Sequence, residues 1–214
     1  MAPASPMFER YTESARRTLF FARYEVSQLG AAEIGSEHLL LGLIRQPEGL
    51  VRRILAEAKV SSEDLRRDLE AMAAAGAEFP TSVEIPFASE TQTVLRAAAE
   101  EADRLLHSYI GTEHLLLGLL QVESSRAGTV LIGRGLRLED VRQRIVTLLG
   151  ESKVSLEEDV AGQIDRIKQS LLQLLRTAHD SEQTRILTGR VFESLDALGR
   201  HLSDSGRPDG PEPG

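Results

Sequence analysis

Cysteine and tryptophan are both missing from this 214-residue chain, and aromatic residues make up only 4% of it. Without cysteine there is no disulfide framework, no thiolate metal site and no cysteine nucleophile. With so few aromatics, a core must rest on Leu, Ala, Val and Ile, which suits packed helices better than a β-sandwich. Basic residues are outnumbered, 25 Lys and Arg against 33 Asp and Glu, for a net charge of −8. That balance lacks the clustered basic face of a nucleic-acid-binding protein. No run approaches the ~20 apolar residues of a membrane span, and the start, MAPASPMFER, has no signal-peptide apolar segment. The expectation is a cytoplasmic protein with neither nucleic acid nor membrane as a partner.

Catalytic signatures are absent too. There is no GxxxxGK[ST] phosphate loop, no HExxH and no GxSxG. The five histidines, His38, His107, His114, His179 and His201, form no metal-ligand spacing with their neighbours. His38 and His114 read instead as packed or capping side chains. The expectation is therefore a non-enzyme, with no catalytic residue, metal or cofactor.

What is present is one phrase used twice. IGSEHLLLGL occupies residues 34–43 and IGTEHLLLGL residues 110–119. The offset of 76 residues, from Glu37 to Glu113, holds without a gap in both directions. Tyr11 aligns with Phe87, Leu19 with Leu95, Glu25 with Glu101, Leu55 with Leu131 and Leu69 with Ile145. This is a tandem duplication. Each copy reads as four helices. Ala15, Leu19, Ala22, Val26 and Leu29 form one apolar stripe, and Thr91, Leu95, Ala98, Ala102 and Leu105 its counterpart. A second helix starts inside the phrase, with Ser36 and Thr112 as N-caps. A third spans about 48–57 and 124–133, and a fourth runs from about Ser62 to Met72 and from Leu138 to Leu149. Repeat one covers about 8–73 and repeat two about 87–150, joined by a Gly/Pro-containing linker at 74–86.

Beyond Gly150 the composition changes. Ser155 and Glu158 match a capping box, opening a helix with Val160, Ile164, Ile167, Leu171, Leu174 and Ala178 on one side. After HDSEQT, a second amphipathic stretch carries Ile186, Val191, Leu195, Leu198 and Leu202. The 155–203 region predicts a helical hairpin, or a surface for pairing with another chain in a homodimer. Residues 204–214, rich in Gly and Pro, read as disordered. The fold class is all-α: a tandem pair of four-helix units followed by a helical hairpin.

The polar head of the phrase has two readings. Glu37 and Glu113 fall in the first turn of their helices, where an exposed carboxylate complements the macrodipole and contributes ~1 kcal/mol or less. Alternatively, a helix N-terminus that suits an anion, beside a carboxylate that suits a guanidinium, matches a ligand bearing both groups.

FERYTESARRTLFFAR at 8–23, followed by IGSEHLLLGL, IPF at 85–87 and YIGTEHLLLGL at 109–119, resembles the double Clp N-terminal domain of ClpC- and ClpA-type AAA+ unfoldases. The resemblance covers residues 8–150. It implies two four-helix repeats about a pseudo-two-fold axis, and an accessory module of the Clp protease system that binds substrates, adaptors or the unfoldase. In the ClpC branch, the glutamate of each phrase holds the guanidinium of phosphoarginine. That role falls on Glu37 and Glu113, with Thr12 beside the first phosphate and Arg10 nearby. The second repeat departs from the pattern, because Ala88 replaces the hydroxyl and Glu90 would repel a phosphate. No ATPase module follows, so the resemblance implies a stand-alone N-domain protein. The alternative is a scaffold or decoy acting through its C-terminal helices, without phosphoarginine binding.

Overall fold

The computed structural model describes residues 8–72, 76, 85–177, 189–198 and 200. The first repeat contains α1 (Glu13–Leu29), α2 (Ser36–Ile44), α3 (Leu50–Glu57) and α4 (Ser62–Met72). The second contains α5 (Ser89–Arg104), α6 (Thr112–Gln121), α7 (Arg126–Gly133) and the start of α8 (Leu138–Thr177). The duplication is thus realised helix for helix. Most of the expected 74–86 linker lies outside the described residues, as do HDSEQT and the 204–214 tail.

The apolar body of the phrase is the core of each copy. Leu39, Leu40, Leu41, Leu115, Leu116 and Leu117 are all fully buried. Burial of such a side chain contributes about 1.5–3 kcal/mol. The glycine of LLLGL is a contact point: a Cβ on Gly42 would lie 2.5 Å from the Thr18 carbonyl, and one on Gly118 2.5 Å from that of Val94. Only glycine lets α1 and α2, and equally α5 and α6, approach so closely. The first and fourth helices of each repeat are tied by a repeated ion pair. Arg66 Nη2 donates to Glu25 at 3.1 Å, and Arg142 Nε and Nη2 each donate to Glu101 at 2.8 Å.

The repeats exchange their lead-in segments. Tyr11 bridges to Ile110, and Phe87 bridges to Ile34, both in parallel. Ile110 N–H donates to the Arg10 carbonyl at 2.7 Å and Thr12 N–H to that of Ile110 at 3.0 Å. At the other end, Ile34 N–H donates to the Pro86 carbonyl at 2.8 Å and Ala88 N–H to that of Ile34 at 3.1 Å. These bonds are related residue for residue by the 76-residue offset, as a pseudo-two-fold axis requires. Each repeat therefore presents its phrase beside the other repeat's lead-in.

The expected helix start at Ser155 does not occur. α8 runs unbroken through Gly150 and Ser155 to Thr177. No proline lies in that span, and a lone glycine costs a helix only about 1 kcal/mol. Residues 1–146 and 147–214 cluster as two separate units. In the second unit, residues 189–198 are helical, and Asp196 pairs with Lys168 of α8 at 2.5 Å, as a helical hairpin requires. Ile164, on the expected apolar side, is buried.

Candidate ligand pocket at the repeat junction

The two copies of the phrase start their helices alike. Gly35 and Gly111 are the N-caps, with extended backbone, so Ser36 and Thr112 sit one residue inside their expected positions. The cap's own N–H is satisfied by a histidine. Gly35 N–H donates to His38 Nδ1 at 3.0 Å, and Gly111 N–H to His114 Nδ1 at 2.9 Å. Each glutamate folds back over its cap, where a Cβ on Gly35 would meet Glu37 Oε2 at 2.3 Å and one on Gly111 would meet Glu113 Oε1 at 2.4 Å. Glycine is needed for the carboxylate to lie there. Glu37 is accordingly 1% exposed and Glu113 7%, not the exposed first-turn residues expected.

The surroundings of the two glutamates differ. Arg126 Nη1, from the start of α7, donates to Glu37 Oε1 at 2.5 Å, while Glu37 Oε2 is buried with no hydrogen-bond partner. His38 Nε2 is likewise buried and unpartnered. Because Nδ1 accepts from Gly35, Nε2 carries the proton in the neutral ring. Burial lowers the His38 pKa, partly opposed by the Glu37 charge. Beside this group opens a cavity of about 410 Å³, bounded by Ala31, Ala32, Glu33, Glu37, Glu90 and Arg126 among others. Glu90 does not project toward a phosphate of the second repeat. Its Oε1 accepts from the Ser36 N–H at 3.2 Å and from the Ser36 hydroxyl at 2.7 Å, which fills the anion-favouring N-terminus of α2.

At the Glu113 end the space is furnished. His107 stands where the first repeat has Ala31, and its Nδ1 lies 2.9 Å from His114 Nε2. Tyr109, in place of Glu33, stacks on His107 with ring centroids 5.0 Å apart. Leu50 replaces Arg126. Among the described residues, no Lys or Arg pairs with Glu113; Thr112 Oγ1 approaches it at 3.5 Å. Burial raises the Glu113 pKa, and burial followed by the charge of nearby His107 lowers that of His114 to about 4. His107, Glu113 and His114 bring donor atoms within 4.8 Å of one another. Yet His114 Nδ1 accepts from Gly111, so Nε2 holds a proton and donates it to His107. A metal would have to break one of those bonds, and the set does not fit one.

Thr12 and Arg10 belong to the Glu113 end. The Thr12 hydroxyl caps α1, accepting from Ala15 N–H at 3.2 Å. Arg10 pairs with Asp103 at 2.6 Å and donates to the His107 carbonyl at 3.1 Å. The lead-in exchange carries both away from Glu37, with which the resemblance grouped them. It also brings Glu90 and Arg126, neither singled out as a partner of the first phrase, to the Glu37 end. A search confined to one repeat does not find them.

A duplicated all-α unit with a buried carboxylate over each repeated helix N-terminus is the plan that the two repeats share. The chain belongs to the Clp repeat N-terminal domain family, whose model matches residues 10–133 and again 86–187. It is 37% identical over 156 residues, 73% of this chain, to the tomato (Solanum lycopersicum) chloroplastic Clp protease ATP-binding subunit ClpA homolog CD4B. It is 37% identical over 147 residues, 69% of this chain, to the Bacillus subtilis negative regulator of genetic competence ClpC/MecB. These matches span only 17% and 18% of the two relatives. Among solved structures, the N-terminal domain of Arabidopsis thaliana ClpD superposes with a TM-score of 0.52 at 30% identity, covering 66% of this chain and 99% of that one. Among the described residues, no single helix is long and apolar enough to cross a membrane.

Proposed function

We propose that this chain is a non-catalytic recognition module of a Clp protease system, which captures substrate or adaptor proteins by a guanidinium-bearing side chain. One observation carries the reading: Glu37, almost wholly buried, already grips the guanidinium of Arg126 at the edge of a cavity large enough for a ligand side chain. Charge-assisted hydrogen bonds of this kind are about twice as strong as neutral ones, and guanidinium matches carboxylate geometry. No arrangement of nucleophile and base accompanies it among the described residues.

Phosphoarginine recognition is supported best at the Glu113 end. There the Thr12 hydroxyl, the Arg10 cation and a carboxylate without an arginine partner come to the same side of the domain. The test is calorimetric titration of a capped peptide carrying one arginine, and of its phosphoarginine form, into wild type, Glu37→Gln and Glu113→Gln. Tenfold or greater weakening in at least one variant supports the reading. Equal binding to all three proteins rejects it.

A second reading, pairing of two copies through 155–203, is favoured by Ile167, Val191 and Leu198, which are 49%, 42% and 52% exposed. Sedimentation that gives a dimer for wild type and a monomer for Ile167→Glu supports it; a monomeric wild type removes it.

A further inference from the structure

We infer that the pocket at Glu37 takes an unphosphorylated cationic side chain, arginine above all, excludes its phosphorylated form, and holds Arg126 as a displaceable in-chain occupant. This inference deepens the protein-recognition reading above and rests on it. Arg126 occupies the carboxylate incompletely. It contacts one oxygen, leaves Glu37 Oε2 buried and unpartnered, and is itself half exposed. A guanidinium entering from the cavity gains the paired, two-oxygen geometry that Arg126 does not use. Arg126 is long enough and open enough to water to swing aside.

The charge of the cavity selects the ligand. Three carboxylates, Glu33, Glu37 and Glu90, face one guanidinium, that of Arg126. When an incoming cation displaces Arg126, the balance becomes favourable to the cation and hostile to any anion. The anion seat at the start of α2 is already filled, because both the Ser36 N–H and its hydroxyl donate to Glu90 Oε1. Ala88 offers no hydroxyl where Thr12 supplies one at the other end. His38 adds no positive charge, since Gly35 holds its Nδ1 lone pair and its burial favours the neutral ring. A phosphoryl group on the ligand would add negative charge beside Glu90 and Glu33, with only the buried, neutral His38 Nε2–H and the displaced Arg126 left to meet it. The two ends of one duplicated domain thereby read different states of the same residue.

The test uses the full chain in a Glu113→Gln background, which silences the other end. The same two capped peptides, arginine and phosphoarginine, are titrated before and after Glu90→Gln and Arg126→Leu, with melting curves confirming that each variant folds. Glu90→Gln keeps the acceptor for Ser36 and removes only the charge; Arg126→Leu copies Leu50. The arginine peptide is expected to bind at least tenfold tighter than the phosphoarginine peptide, with Glu90→Gln narrowing that ratio. Arg126→Leu is expected to tighten arginine binding several-fold by removing the competitor. Tighter binding of the phosphoarginine peptide, or weaker arginine binding in Arg126→Leu, overturns the inference and leaves the recognition reading standing. Failure of both peptides to bind in every variant overturns the recognition reading for this pocket.

Discussion

Arg126 and Glu37 are 89 positions apart in the chain and 2.5 Å apart in space, joining α7 of one repeat to the phrase of the other. The corresponding pair at the opposite end, Leu50 and Glu113, has no such bond. The duplicated domain has therefore diverged at the side chains around each glutamate, Arg126 against Leu50 among them, while keeping its backbone plan.

This pair contributes to stability less than a sealed one would, because Arg126 is half exposed at the edge of an open cavity. Arg126→Leu should lower the unfolding free energy by about 1–2 kcal/mol, read as a shift in urea midpoint at constant slope. A loss above about 4 kcal/mol would mean that the pocket is dry and Glu37 is not open to a competitor.

The glycines of LLLGL test the packing account. Gly42→Ala and Gly118→Ala each place a methyl group 2.5 Å from a backbone carbonyl that cannot rotate away. Each should cost about 1–3 kcal/mol by overpacking, despite the higher helix propensity of alanine. Thermal unfolding of both variants checks this, and a stabilised variant would refute the close approach of the helices.

Leu106 offers the reverse case. It holds a left-handed backbone, φ 57°, at 92% exposure, where the first repeat has Gly30 at φ 68°. Leu106→Gly removes the steric cost of that conformation without removing a buried contact. A stability gain of about 0.5–1 kcal/mol is expected from the melting curve.

His114 gives the domain a pH dependence of defined sign. Its folded pKa is about 4, against 6.5 for the ordinary side chain. The unfolded chain binds the extra proton first, so stability is lost as pH falls from about 6.5 toward 4, by about 3 kcal/mol at full extent. Glu113, with its raised pKa, contributes in the opposite sense just above pH 4.5. The informative comparison is wild type against His114→Gln across that window. The variant should lose part of the slope, the rest belonging to His38, whose pKa burial also lowers, and an unchanged slope would place the effect elsewhere.

Much of this was legible in the sequence because the helices carry their own signals. The stripes from Ala15 to Leu29 and from Thr91 to Leu105 located α1 and α5. Glu37 and Glu113 stood out because they recur. The N-caps expected at Ser36 and Thr112 fall one residue earlier, on Gly35 and Gly111, whose N–H groups donate to His38 and His114. The partners of Glu37 were hidden for a different reason. Arg126 reaches Glu37 and Glu90 reaches Ser36 across the repeats, where Tyr11–Ile110 and Ile34–Phe87 also pair, and no local pattern encodes that exchange. The continuous α8 was obscured by Gly150 and by a capping-box match at Ser155 that the helix passes straight through.

The most direct test of the account is a crystal structure of the protein with the capped arginine peptide. The account predicts the peptide guanidinium on both oxygens of Glu37, with Arg126 turned out to solvent. A peptide bound elsewhere, with the Arg126–Glu37 pair intact, would contradict it.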